Sequence, residues 1–251
     1  MTSNSISRGR VHIYPEMEAL SKAAADLFVQ AARSSVEARG RFVVALSGGH
    51  SPERTYQLLA SVPYRDQVAW DKTYVFWGDE RCVPRDDPRN NARTAFAMLL
   101  NHVPIPRGHI HPIPSEELPS EAADRYETTL RNFFRTQPPR FDLIFLGLGE
   151  DGHTASLFPN TTILEEWDRW AKEVYLTDQN MYRVSLTAPT INQAATIAFL
   201  VCGSNKSRVL REVLSGPGRP QELPAQLIGP IAGDLLWLVD DEAARELPAE
   251  D

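Results

Sequence analysis

The chain has 251 residues, enough to bury a full hydrophobic core in one large domain or two small ones. Hydrophobic residues make up 42% of it and charged residues 24%, which excludes wholesale disorder, and no apolar run is long enough to span a bilayer. A net charge of −7 argues against a broad nucleic-acid surface and requires that any small anionic ligand be met by a few local cations.

The cysteines and the first residues bear on the compartment in which the protein works. Cys82 and Cys202 form neither a disulfide framework nor a zinc-binding spacing, and Met1–Arg10 lacks the apolar stretch of a secretory signal. We therefore expect a soluble, reduced, cytoplasmic protein whose mixed polar surface is compatible with a monomer.

Short apolar runs alternate with longer amphipathic stretches along the chain. The runs predict strands at Val11–Tyr14, Phe42–Leu46, Tyr74–Trp77, Leu143–Leu148, Val184–Leu186, Thr196–Val201 and Leu235–Val239. The stretches predict helices at Glu16–Arg39, Pro52–Ser61, Ala92–Asn101, Ser120–Arg135 and Lys206–Leu214. Because several strands are apolar on both faces, we expect a single α/β domain over residues 1–251, with a mostly parallel sheet covered by helices on both faces.

A glycine turn follows the strand Phe42–Leu46. Ser47, Gly48 and Gly49 let backbone amides approach a ligand closely, and we expect Ser51 to cap the next helix. Unpaired N–H groups at a helix start favour a phosphate, so this turn is a candidate phosphate site. A tight, capped turn without a ligand is the alternative.

Charged residues follow the strand Tyr74–Trp77. Asp79 and Glu80 form a carboxylate pair beside Arg81, whose forked guanidinium suits a phosphate or a developing oxyanion. The alternative is a solvated charge cluster at the end of a strand.

The segment after Leu143–Leu148 carries the most chemistry. Its glycines let a ligand approach the backbone closely, and Asp151 and His153 follow with one residue between them. Histidine is the side chain best suited to proton transfer near neutral pH. A lone histidine is more often structural than functional. However, ligands bind beyond the carboxyl ends of parallel strands, and the turns after three predicted strands meet there. This location favours a functional role for His153.

Two cations late in the chain are further candidates for ligand binding. Arg183 opens a strand, and Lys206 stands at the start of a helix. Each alone is typical of a surface cation, but together with Arg81 they would supply the local positive charge that an anion requires in an acidic protein.

Other reactive arrangements are incomplete. Ser47 lacks the G-x-S-x-G elbow of a serine hydrolase, and His109 and His111 lack a third metal ligand. We therefore expect neither a covalent serine nucleophile nor a metal site.

As a set, these segments resemble the 6-phosphogluconolactonases, in the family that they share with glucosamine-6-phosphate isomerase. The resemblance extends over almost the whole chain, in blocks whose order and spacing match: ALSGGHSPERTYQLLA, FWGDERCVPRDDPRNNARTA, FDLIFLGLGEDGHTASLFP, RVSLTAPTINQA and FLVCGSNKSRVLREVL.

The resemblance implies a Rossmann-like fold, no cofactor and no metal. It implies hydrolysis of a small sugar-phosphate lactone, 6-phospho-D-glucono-1,5-lactone, to 6-phosphogluconate in the oxidative pentose phosphate pathway, with no nucleic-acid or membrane partner. It assigns proton transfer to His153, with Asp151 beside it. It assigns phosphate, sugar and polar site contacts to Ser47, Gly48, Gly49, Asp79, Arg81, Arg183 and Lys206.

One position departs from the isomerase pattern. Isomerases carry a glutamate that assists ring opening where this chain has Phe158, before Pro159. The missing carboxylate opposes an amino-sugar-phosphate isomerase. A non-catalytic sugar-phosphate sensor is a second alternative, which the acidic charge and the absence of a helix-turn-helix segment in the sequence disfavour.

Overall fold

A computed structural model describes residues 2–6, 8–135 and 139–248. The segment Met1–Arg10, from which we expect no secretory signal, therefore lies partly outside the described residues. The strands are β1 (Thr2–Ile6), β2 (Gly9–Tyr14), β3 (Phe42–Leu46), β4 (Thr73–Trp77), β5 (Asp79–Arg81), β6 (Leu143–Leu146), β7 (Ala171–Leu176), β8 (Met181–Leu186), β9 (Thr196–Val201) and β10 (Asp234–Asp240).

In the described residues, five helices follow the predicted amphipathic stretches, whereas two helices of four residues each were not predicted. The helices are α1 (Met17–Arg39), α2 (Glu53–Leu59), α3 (Asn91–Ala95), α4 (Pro119–Phe134), α5 (Ala188–Ile191), α6 (Ser207–Ser215) and α7 (Asp241–Ala244). A π-helical turn, Phe96–Leu100, continues α3. In the described part of the chain, no helix is long and apolar enough to cross a membrane.

The main sheet has the strand order β1-β2-β10-β9-β6-β3-β4. Its strands pair in parallel except at the edge, where β1 runs antiparallel to β2. The predicted mostly parallel α/β sheet is therefore confirmed. All five residues of β3 are buried, as its continuous apolar sequence predicts for a strand covered on both faces.

Helices cover both faces of this sheet. Ala45 of β3 pairs with Phe76 of β4, so Phe42, three residues before Ala45, points to the opposite face from Phe76. The ring of Phe42 packs against Phe28 of α1 at 5.1 Å, whereas Phe76 packs against Phe133 of α4 at 5.1 Å. The core therefore lies in two layers, one on each side of the sheet.

A second sheet differs from the expectation for the strand Val184–Leu186. This segment is part of β8, which lies between β5 and β7 in a small antiparallel sheet rather than in the main sheet. The strands β5 and β7 were not predicted, because three residues of DER and the partly polar AKEVYL carry little apolar periodicity.

The topology brings distant segments to one edge. Since β3, β4, β6 and β9 are parallel, the residues that follow them all leave the main sheet at its carboxyl end. The small sheet continues from β4 through Gly78, whose N–H donates to Leu46 O at 2.9 Å.

Candidate active site

A cleft of about 470 Å³ lies at the carboxyl edge of the main sheet. It brings together residues that are far apart in sequence, including eight of the nine predicted site residues: Ser47, Gly48, Gly49, Asp79, Arg81, His153, Arg183 and Lys206. The ninth, Asp151, does not line the cleft but contacts His153 from behind.

The glycine turn after β3 is held by a buried tyrosine. Tyr56 Oη donates to Ser47 O at 2.7 Å and accepts from Ser47 N at 3.1 Å, so one side chain fixes both backbone groups of that residue. Gly49 has φ +87°, which favours glycine, and a Cβ on Gly48 would collide with the amide of Asn91. This turn therefore requires both glycines, one for its conformation and one for its neighbour.

The expected role of Ser51 is wrong. The helix α2 begins only at Glu53, and no side chain caps it. Because Pro52 occupies the N-cap position, the Ser51 hydroxyl lies outside it and interacts with the thiol of Cys202 instead. Burial raises the pKa of that thiol to about 12.

Two arginines lie opposite each other on adjacent strands of the small sheet. Arg81 of β5 is the direct antiparallel partner of Arg183 of β8, and both line the cleft. Like charges directly opposite each other destabilise a sheet. Burial lowers the pKa of Arg183, which is 7% exposed, although nearby Asp79 opposes that shift. The Nε atoms of both arginines are buried and have no hydrogen-bond partner among the described residues. The pair is therefore an electrostatic cost that an anionic ligand would relieve.

A buried carboxylate sets the position of this cation pair. Asp79 Oδ2 accepts from Ser156 Oγ at 2.5 Å and lies 3.7 Å from Arg183 Nη1. Asn91 Nδ2 donates to Asp79 O at 3.0 Å and lies 3.3 Å from Asp79 Oδ1. Because its oxygens already have these partners, Asp79 orients Ser156, Asn91 and Arg183 around the cleft.

The imidazole of His153 is held on two sides. Its Nδ1 lies 2.5 Å from Asp151 Oδ1, and its ring stacks on Phe158 with 3.9 Å between ring centroids. Arg183 lies over Phe158, with Cζ 5.0 Å from that ring's centroid. Phe158 thus fills the space between the imidazole and the buried guanidinium.

The charge state of Asp151 follows from its contacts. Burial works to raise the pKa of this carboxyl, but the hydrogen bond and charge of His153 outweigh it and leave the pKa below its ordinary value. An ionised carboxylate only accepts, so Nδ1 of His153 carries the hydrogen and donates it. In the neutral imidazole, Nε2 then keeps its lone pair.

Lys206 lies on the remaining side of the cleft. Its Nζ is 4.0 Å from Glu150 Oε1, a loose contact, and Glu150 also accepts from Asn205 Nδ2 at 2.6 Å. Glu150 is 66% exposed in its side chain, so water screens this pairing and leaves the ammonium available to a ligand.

Sequence reasoning missed Asn91 as a residue of the site. Its amide lies against Gly48 and Asp79, and so connects the glycine turn to the arginine pair. The motif NNAR suggests only a helix start, since nothing in it shows that the side chain turns toward the cleft.

Three other histidines lack the contacts that hold His153. His50 lines the cleft with a side chain that is 98% exposed and pairs with Glu53 at 3.3 Å. His109 and His111, which lack a third metal ligand in the sequence, stack on Tyr74 and Phe76 of β4 at 4.0 and 4.6 Å.

Comparison with known proteins identifies the class. Residues 15–237 match the family described as glucosamine-6-phosphate isomerases/6-phosphogluconolactonase. The chain belongs to this family, as the resemblance of its motifs indicates.

Within that family, the chain is similar to proteins named 6-phosphogluconolactonase. The chain is 42% identical over 217 residues to "6-phosphogluconolactonase" of Synechocystis sp., covering 85% of this chain and 88% of the relative. It is 38% identical over 241 residues to "6-phosphogluconolactonase" of Nostoc sp., covering 94% and 98%. Among solved structures, "6-phosphogluconolactonase from Trypanosoma cruzi" superposes with a TM-score of 0.86 at 26% identity, covering 99% of this chain and 100% of that one.

Proposed function

We propose that this protein hydrolyses 6-phospho-D-glucono-1,5-lactone to 6-phospho-D-gluconate, a step of the oxidative pentose phosphate pathway. The names of its relatives support this activity. The observation that carries the mechanism is the contact between His153 Nδ1 and Asp151, because it leaves Nε2 as a base in a cleft lined by cations.

Contacts with the phosphate of the substrate provide most of the binding free energy. Arg81 and Lys206, with the backbone amides of the glycine turn after β3, hold it on one side of the cleft. In a protein with a net charge of −7, these are the local donors that an anion needs. The lactone ring then extends toward His153.

Proton transfer by His153 carries the reaction. Nε2 removes a proton from water as the water oxygen attacks C1, which forms a tetrahedral oxyanion. When the oxyanion collapses, the bond from C1 to the ring oxygen breaks, and the imidazolium returns its proton to that oxygen. Asp151 keeps the imidazole oriented and stabilises its positive charge while the proton is held.

The oxyanion is met by a donor that is already in place. Arg183 is the favoured side chain, because burial strengthens its field and Asp79 and Phe158 fix its guanidinium. Amides of the glycine-rich turn that carries His153 are the other candidates. A δ-lactone is an activated ester, so these steps assign no role to a metal, a cofactor or a covalent nucleophile.

Two other functions compete with this proposal. An amino-sugar-phosphate isomerase needs a carboxylate where this chain has Phe158, whose ring is occupied by stacking against His153. A non-catalytic sensor would bind the sugar phosphate without using the pairing of His153 with Asp151. The proposal also includes a cytoplasmic location and a single domain that acts as a monomer. One continuous hydrophobic core supports the single domain.

Acid release from freshly generated 6-phosphogluconolactone, corrected for spontaneous opening, tests the proposal. We expect acid release that is proportional to enzyme concentration, and no ammonia from glucosamine 6-phosphate. Ammonia release would favour the isomerase, and ligand binding without acid release would favour the sensor.

A further inference from the structure

A buried carboxylate next to the cleft takes no part in the proposed chemistry. Glu80 lies between Asp79 and Arg81 on β5, and it is 1% exposed. It does not line the cleft, because alternate residues of a strand point to opposite faces. An ionisable group buried at this depth needs several partners to remain charged.

Those partners are backbone amides from two segments. Glu80 Oε1 accepts from Arg81 N at 2.9 Å and from Asn91 N at 2.8 Å, and Oε2 accepts from Ala92 N at 2.8 Å. Asn91 and Ala92 are the first two residues of α3, while Asn90 caps the third amide, that of Arg93. Glu80 therefore supplies the acceptors for the start of α3 that the cap residue leaves unsatisfied.

Both segments carry residues of the cleft. Arg81 belongs to the arginine pair, and the side chain of Asn91 packs against Gly48 and donates to Asp79 O. A shift of α3 relative to β5 would move Asn91, and with it the support of the glycine turn. One carboxylate thus connects three parts of the candidate phosphate site.

We propose that Glu80 is a positioning residue that holds Arg81 and Asn91 in register and so sets the affinity of the cleft for the phosphate of its substrate. It touches no substrate atom and transfers no proton. This inference rests on the proposed function, since it assumes that Arg81 and the glycine turn bind the phosphate.

The ionisation of Glu80 makes this role dependent on pH. Burial raises the pKa of Glu80 to about 7, although the amides of Asn91, Ala92 and Arg81 oppose the shift. Other charged and titratable groups near Glu80 are Asp79 and Cys82 on its own segment, Arg183 from β8 and Tyr126 from α4. Protonation removes the charge that holds the amides, so the cleft should loosen as pH falls below 7.

Sulfate binding, measured by calorimetry, tests the inference without relying on turnover. Sulfate stays a dianion between pH 6 and pH 8, so its own charge does not change. With half-ionisation near pH 7, about a tenth of Glu80 is ionised at pH 6, and we expect wild-type affinity to fall by up to about tenfold from pH 8 to pH 6. The same measurement on His153→Gln, whose side chain at position 153 carries no charge at either pH, isolates the contribution of Glu80.

Two variants sharpen the measurement. Glu80→Gln replaces one acceptor by a donor, and we expect weak sulfate binding at both pH values, with KM for the lactone raised about tenfold and kcat changed far less. Asp142→Asn is the matched control: Asp142 is a buried carboxylate that accepts from Val43 N at 2.8 Å, at the other end of the main sheet. It should bind sulfate as the wild type does.

Several results would overturn the inference. One is a folded Glu80→Gln variant that binds sulfate as tightly as the wild type at pH 8, and another is equal losses in Glu80→Gln and Asp142→Asn. If Glu80→Gln does not fold, His153→Gln decides: in this variant, affinity that is flat or rises toward pH 6, or no sulfate binding at either pH, contradicts the inference. Failure of the wild type to hydrolyse the lactone would refute the proposed function and leave the sulfate comparison valid.

Discussion

The two ends of the main sheet carry clefts of similar size with different electrostatics. The cleft at the carboxyl end has about 470 Å³, and the one at the amino end, beside α1, has about 580 Å³. At the amino end, Arg10 pairs with Asp234 at 2.6 Å and Arg39 pairs with Asp142 at 2.5 Å. At the carboxyl end, two arginines face each other instead.

This difference shows that cleft volume does not identify a binding site. Each arginine at the amino end already has a carboxylate on it, so an anion would have to break an ion pair before binding. At the carboxyl end, Asp79 lies 3.7 Å from Arg183, but Arg81 has no carboxylate within ion-pair distance among the described residues. The two arginines therefore place like charges together, a cost that a ligand can remove. Glycine turns that line a cleft follow β3 and β6 at the carboxyl end of the sheet, where parallel strands release their chains.

The largest effect is expected at the candidate base. His153→Ala should lower kcat by roughly 10²–10⁴, the usual value of a positioned general base, with a small change in KM. Steady-state hydrolysis of the lactone, corrected for spontaneous opening, measures it.

The control for this variant is a histidine remote from the cleft. His102 is exposed and its Nε2 lies 2.8 Å from Ala97 O, so His102→Ala should keep the wild-type kcat. Normal turnover by folded His153→Ala would remove the imidazole from the mechanism.

The next effect compares one arginine from each end of the sheet. Arg81→Ala should raise KM by about tenfold to a hundredfold with a smaller change in kcat, because a charge-assisted contact to phosphate is lost from ground and transition states alike. Arg39→Ala, at the amino end, should leave both constants unchanged. Equal kinetic effects of the two variants would abolish the distinction between the ends.

Much of the carboxyl end could be predicted from the sequence. Strands that are apolar on both faces, such as β3 and β9, have bounds that match the prediction, because continuous burial leaves an uninterrupted apolar run. The turns after them hold glycines and charges in short local motifs, and parallel pairing then gathers these motifs at one edge.

The rest of the site depends on contacts that no local pattern encodes. The pairing of Arg81 with Arg183 arises from the small antiparallel sheet, whose strand β5 is only three residues long. The hydrogen bonds of Tyr56 to Ser47 and the stacking of Phe158 on His153 are tertiary contacts that no local motif predicts. The prediction for Ser51 was wrong because α2 starts at Glu53, one residue later than predicted, which puts Pro52 rather than Ser51 at the N-cap.

The last effect concerns the free energy of unfolding. It tests a property that the two ends share, a buried carboxylate whose pKa is raised. The pKa of Glu80, about 7 in the folded protein because of burial, lies above the ordinary carboxyl value, so the folded state binds more protons between the two values. This group therefore lowers the free energy of unfolding as pH rises through that window, and Glu80→Gln should gain about 2 kcal/mol relative to the wild type between pH 5 and pH 7 in urea unfolding.

Burial also raises the pKa of Asp142, against the pull of Val43 N and Arg39, so Asp142→Asn should shift in the same direction. We expect both variants to gain free energy of unfolding relative to the wild type, and only Glu80→Gln to lose sulfate affinity. This result would show that both carboxylates are costly to bury, but that only Glu80 supports the cleft. The amide bonded to Asp142 belongs to a strand interior, whereas those bonded to Glu80 belong to segments that carry the arginine and the asparagine of the cleft.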